Sequence, residues 1–325
     1  MQNIKSFFRI IYHNKQAFIG MLILLGFIFM ATVGAAVVPL DLNPHYENRY
    51  RPPAIIEMIF GVGGAQAEDE ETEIGRNPFI QDEPKEPQEE KENPYINQRY
   101  ILGTDYIGRD IFAQVVHGSR DVLLIGFLAA TFAILIGFTI GALSGFIGGW
   151  VDSFLMLVTN LFLTVPSFPI MLILSVFIKI QNPLIMACIL AVWSWAGLAR
   201  AVRAQIFAIK QREFIVICRV MGLGSLYTIF QEVLPNMVPY LAINFITTMQ
   251  GSIVASVGIM MLGFAPYKPT NWGVMLNSAI RQGLSNPDAT YYLLAPIVCL
   301  GLFQMGCIFF ASGIDDALNP RLRDQ

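Results

Sequence analysis

Charge is scarce in this chain. Asp, Glu, Lys and Arg make up 14% of its 325 residues, against 54% hydrophobic residues, and the net charge is only −3. So weak a balance carries no basic patch for a nucleic acid, and none is expected as a partner. Cysteine is almost as scarce: Cys188, Cys218, Cys299 and Cys307 are the four, none in a stretch that reads as an external loop. No disulfide framework is implied. The three histidines, His13, His45 and His117, are scattered without metal-ligand spacing, so no metal site is expected. No Gly-Lys-Ser/Thr run occurs, so the chain has no phosphate-binding loop of its own. Nor does any Ser/His/Asp set or intramembrane carboxylate pair point to catalysis. The expectation is a chain without catalytic residues and without a bound cofactor.

What the chain has instead is long apolar runs. A helix crossing a bilayer core of about 30 Å needs about 20 residues, and an intramembrane charge costs about 2.5–3.5 kcal/mol on insertion scales. Six runs meet both conditions, at about 17–38, 122–147, 154–178, 184–202, 238–263 and 293–314. The first, with Lys5, Arg9 and Lys15 before it, is too long for a signal core and reads as an uncleaved anchor. The predicted fold is an all-α membrane protein of six transmembrane helices. Lys and Arg in short loops set its orientation. Arg200, Arg203, Lys210, Arg212 and Arg219 follow the fourth span, whereas only Lys268 and Arg281 follow the fifth. Both termini are therefore placed in the cytoplasm, although Arg49, Arg51, Arg109 and Arg120 lie near the opposite face.

Three regions follow: a tail and first span (1–40), an external segment (41–121), and a five-helix core (122–325) with a polar loop at 203–237. Within the external segment, 66–98 holds eleven Asp/Glu and Pro78, Pro84, Pro87 and Pro94. Such a composition cannot bury enough surface to offset its ordering entropy, so a flexible solvated insertion is expected. Order is expected to return at Tyr100, ahead of Leu102-Gly103-Thr104-Asp105 and Gly108-Arg109-Asp110. Thr104 or Asp105 could cap a short helix starting near Tyr106, with Arg109 and Asp110 placed to pair.

The second span repeats small residues every fourth position: Ala129, Ala133, Gly137, Gly141, Gly145 and Gly149. Such a ridge lets helix backbones approach closely, against another helix of this chain or a partner subunit. Pro166 and Pro169 fall inside the third span and favour a kink. In the fifth, Asn244, Thr248, Ser252 and Ser256 share a face; they either line a passage for a polar solute or join helices. Trp272 suits an interfacial position.

The loop between the fourth and fifth spans is the most specific segment. Phe214, Ile217 and Val220 or Met221 recur at helical spacing, and Gly222 offers an exit through positive φ. Gly222 followed by Leu234-Pro235 resembles the coupling loop of ABC-importer permeases. The two external motifs, Trp272-Gly273 with Met275 and Leu276, and the closing run from Asp315 to Arg323 resemble the peptide-type branch (dipeptide, oligopeptide and nickel permeases). The family's Glu-Ala-Ala triplet is Val216, Ile217 and Cys218 here, with Glu213 one turn earlier. The resemblance implies the permease fold, with a cytoplasmic coupling helix carrying Glu213, Phe214, Ile217, Gly222, Leu234 and Pro235. It also implies a second permease subunit in a heterodimer, two ABC ATPases that use ATP and Mg, and an extracytoplasmic solute-binding protein. The location implied is a bacterial or archaeal cytoplasmic membrane, with lipid as a constant neighbour. Peptides, nickel chelates and oligosaccharides stay open as cargo, and a stand-alone secondary transporter or channel is the reading from another class.

Overall fold

The structure, a computed structural model, describes residues 14–54, 100–265, 268–283 and 289–318. The predicted insertion at 66–98, the tail at 1–13 and the closing residues 319–323 lie outside the described residues. Among those described the protein is helical, and the one β-bridge pairs Thr104 with Asp110.

The helices in chain order are α1 (Lys15–Val37), α2 (Ile111–Ile147), α3 (Gly149–Thr164), α4 (Ser167–Phe177), α5 (Pro183–Ile209), α6 (Glu213–Val220), α7 (Ser225–Met261), α8 (Trp272–Gly283) and α9 (Thr290–Leu318). Local chemistry sets their ends. Asn14 caps α1 by accepting from the N–H groups of Gln16 and Ala17, and Asn182 caps α5 ahead of Pro183. Wide five-residue turns interrupt α1 at Met30–Gly34 and α7 at Ile229–Val233. The second stands just before Pro235, which has no N–H to donate into a regular turn. Leu234 and Pro235 therefore lie inside α7, not in a loop.

Five of these helices are long and apolar enough to span a membrane, and α3 with α4 form a bent pair that would make a sixth crossing. The geometry of α2 and α5 decides how that pair runs. Gly137 faces Leu198, Gly141 faces Val202 and Gly145 faces Ile206. The two helices are thus parallel neighbours, and Pro183 stands level with about residue 122. Parallel neighbours need a return crossing, and α3 with α4 supply it. The kink expected in the span at 154–178 is a full break, two helices bent by 84°. Proline explains the break: Pro166 pushes Val165 out of the helical region, to φ −82° and ψ 130°. Pro169 then sits in the first turn of α4, where its missing donor costs little.

α1 and α9 run antiparallel, with Gly20 against Phe310 and Gly306, and Gly313 against Ala17. α7 packs antiparallel to α2, Ile253 lying over Gly126 and Phe230 against Phe138. One end of the bundle therefore gathers the start of α1, the α2–α3 turn, α6 and the end of α9. The basic residues Lys15, Arg203, Lys210, Arg212 and Arg219 collect towards that end, which the positive-inside rule makes cytoplasmic.

The ridge on α2 meets α5 of the same chain. An added Cβ on Gly137 would stand 2.9 Å from the Trp195 carbonyl oxygen, and one on Gly145 2.9 Å from Ile206 Cβ. Gly149 is no part of it. It lies beyond the end of α2 with φ +62°, where nothing approaches within 4 Å, and it opens α3 instead.

The external end differs most from expectation. α2 begins at Ile111, about three turns before the membrane run, and Asp110 caps it through the Phe112 N–H. Asp105 caps no helix. It accepts from the N–H groups of Ile107 and Arg109, from Arg109 Nε at 2.8 Å and from Gln114 Nε2 at 3.0 Å. Arg109 therefore pairs with Asp105, not with Asp110, and the pair is 7% and 0% exposed. Thr104 donates to the Asn48 carbonyl and accepts from the Arg51 N–H, pinning 41–54 against this turn. Trp272 is fully buried within the chain: its indole N–H donates to the Val115 carbonyl at 3.0 Å and its ring meets Phe27.

Overpacking a core typically costs about 1–3 kcal/mol. Gly141→Leu should therefore lower the thermal unfolding midpoint in detergent and the yield of monodisperse protein. Gly301→Ala, at a position with open space around it, should leave both unchanged. Asp105→Asn strands a buried guanidinium, a loss of about 3–5 kcal/mol. The same melting assay should show it, with part of the loss recovered in Asp105→Asn/Arg109→Gln.

Candidate functional site

The cytoplasmic ends of three helices are fastened to one another. Lys210, just past α5, donates to the carbonyls of Gly145 (3.2 Å) and Phe146 (2.8 Å) at the end of α2. A cation there satisfies orphan acceptors and opposes the negative end of the helix dipole. Asp152, in the first turn of α3, receives Nε and Nη2 of Arg203 at 2.6 Å each, and the Ser144 hydroxyl also donates to it. The predicted loop position of Arg200 and Arg203 is thus corrected: both are on α5, which continues to Ile209.

α6 rests on this platform. Ile215 and Cys218 are buried; Ile215 joins Ile206, Ile229, Val233 and Met237 in one apolar cluster, with Phe214 and Leu234 partly covered beside them. The outward face is Val216, Ile217, Val220 and Met221; Ile217 is 57% exposed and Val220 83%. Phe214, one turn before Ile217, is half-covered at the edge of the inner side. Leu226, Tyr227 and Phe230 extend the exposed apolar surface onto α7. Glu213 is exposed in the first turn, where its charge favours the helix, and Pro235 is exposed as well.

Gly222 ends α6 with φ +71°. Its N–H bonds to the Arg219 carbonyl, and the Leu223 N–H to that of Cys218. These two bonds form the left-handed C-terminal lock that glycine makes at lowest cost. Glycine here fixes the direction in which the chain leaves.

The polar stripe of α7 is split. Ser252 and Ser256 are 3% and 1% exposed, packed inside the chain, and Ser256 donates to the Ile253 carbonyl. Asn244 and Thr248 lie lower on the helix and are half-exposed, Asn244 donating to the Tyr240 carbonyl at 2.9 Å. Nothing in the sequence signals the contacts of Lys210 with α2 or of Asp152 with Arg203, because they join residues 51 to 65 positions apart.

Comparison with known proteins fits this architecture. The family described as "Binding-protein-dependent transport system inner membrane component" matches residues 137–324. An oligopeptide transport system permease protein of Mycobacterium tuberculosis is 34% identical over 227 residues, 69% of this chain and 77% of that protein. A putative peptide permease protein of Brucella suis is 31% identical, over 69% and 74%. A dipeptide transport system permease protein of Bacillus subtilis is 30% identical, over 68% and 69%. The six crossings, the fastened cytoplasmic ends and this similarity over most of the chain lead to one conclusion: the protein is a multi-pass membrane permease of the family of inner-membrane components of binding-protein-dependent transport systems.

Proposed function

We propose that this chain is one membrane subunit of a peptide importer and works by alternating access. The observation that carries the reading is α6, a short helix anchored on one side, glycine-locked at its exit, and bare and apolar on the other. Such an element fits a socket on a separate protein. In this reading the socket belongs to one of two cytoplasmic ATPases, which bind ATP and Mg and do the hydrolysis. This chain supplies no catalytic group and no cofactor of its own. A second permease completes the passage, and an extracytoplasmic solute-binding protein delivers the cargo. Peptides are favoured over nickel chelates and oligosaccharides because the similar proteins above carry peptide names. A stand-alone secondary transporter is disfavoured because among the described residues no carboxylate falls near the centre of a spanning helix, and Asp152, at the cytoplasmic end, is tied to Arg203.

The purified chain alone should hydrolyse no ATP, measured as phosphate release; turnover by protein free of contaminants would refute the reading. Ile217→Asp should place a charge in the docking contact and reduce co-purification of the ATPases, with peptide uptake falling in parallel. Gly222→Val strains a positive-φ position, so uptake should fall even where the ATPases still bind. Neither variant should alter membrane insertion, followed by extraction and fractionation.

A further inference from the structure

α5 carries two arginines in its cytoplasmic half, in different electrostatic settings. Arg203 is neutralised by Asp152. Arg200, one turn nearer the membrane centre, has no carboxylate partner among the described residues; its Nη2 donates to Oδ1 of Asn160 on α3 at 2.8 Å, and the pair is exposed. Along the helix axis Arg200 lies about 13 Å from the end of α5, and centring that helix of about 40 Å on an apolar core of about 30 Å puts it about 8 Å inside the cytoplasmic edge. A cation at that depth is costly against lipid, so this face borders water or a polar group.

The surface around it agrees. Gly197 and Ala204 are exposed and Ala201 half-exposed, with nothing within 4 Å of an added Cβ on Gly197. Larger apolar side chains are exposed farther off, at Leu184 and Val192 in the other half of α5 and at Phe207 two turns on, and Leu157, Leu161 and Leu163 flank Asn160 on α3. Small residues beside Arg200 leave room for a ligand. A guanidinium offers five donors in a planar fork that matches a carboxylate. Asn160 takes one and holds the group without cancelling its charge.

We propose that Arg200, positioned by Asn160, binds the C-terminal carboxylate of the transported peptide in the cytoplasmic half of the passage. This rests on the peptide reading above. The neutral partner matters: with no permanent counter-charge, the fork is available to each arriving carboxylate and is vacated when the peptide leaves. Asn160→Ala should loosen the fork and weaken the same step.

The test uses the complete transporter with its binding protein in proteoliposomes, and uptake of trialanine and of trialanine amide. Arg200→Gln should lower trialanine uptake by about tenfold and leave amide uptake within about twofold, and Arg200→Lys should fall between. Equal loss of both peptides, loss of neither, or loss of the second membrane subunit on purification overturns the proposal; the last would mark Arg200 as an intersubunit contact. Where the wild type imports trialanine alone, Arg200→Cys with Cys188→Ser decides. A methanethiosulfonate reagent bearing an ammonium group should restore uptake and one bearing a sulfonate should not. No reaction, or equal effects, overturns it. A wild type that imports neither peptide removes the peptide reading itself, and is distinguished because it appears before any substitution.

Discussion

The close approach of α2 and α5 is the constraint on which the rest of this structure depends. Three glycines let two backbones meet along the membrane thickness, where helix association rests on van der Waals contact rather than on water exclusion. The contact fixes the pair as parallel and in register. Parallel neighbours oblige the chain to cross back between them, so α3 and α4 exist because of that pairing. Registration also brings the ends of α2 and α5 to one level. Only then can Lys210 reach the carbonyls of Gly145 and Phe146, and Asp152 reach Arg203.

Much of this was legible in the sequence, and its limits are physical. Apolar runs located the crossings because lipid penalises charge. They understated helix length, since hydropathy reads bilayer thickness and not where a helix stops. Hence α2 starts at Ile111 rather than near residue 122, and α5 reaches Ile209 rather than 202, so that Arg200 and Arg203 are helical and not in a loop. The glycine ridge was visible because its period is four. The Gly20, Gly306 and Gly313 contacts of α1 with α9 were not, because they are shared between helices far apart in sequence. On α6 the helical spacing was correct, and Ile217, Val220 and Met221 do form the exposed face, but Phe214 does not stay on it. Phe214 turned inward because Ile215 and Cys218 anchor that side; only tertiary packing settles which stripe of so short a helix is buried.

The site inherits its character from this framework. α6 is stiff where it meets the bundle, through the cluster of Ile206, Ile215, Val233 and Met237, and bare where it faces away. A push on the bare face is therefore delivered to the ends of α2, α5 and α7 together rather than dissipated in a loop. The external turn around Asp105 is equally firm, its carboxylate holding four donors from three residues. Stiff ends joined by spanning helices favour motion of whole segments over local flexing.

The elbow at Val165–Pro166 has a solvation consequence. Where α3 stops, its last carbonyls have no intrahelical donor, and α4 begins with N–H groups that no side chain caps. Hydrocarbon cannot satisfy such groups. The elbow must therefore be wetted or clasped by protein, which marks, without reference to any side chain, a point on this subunit's surface from which lipid tails are excluded.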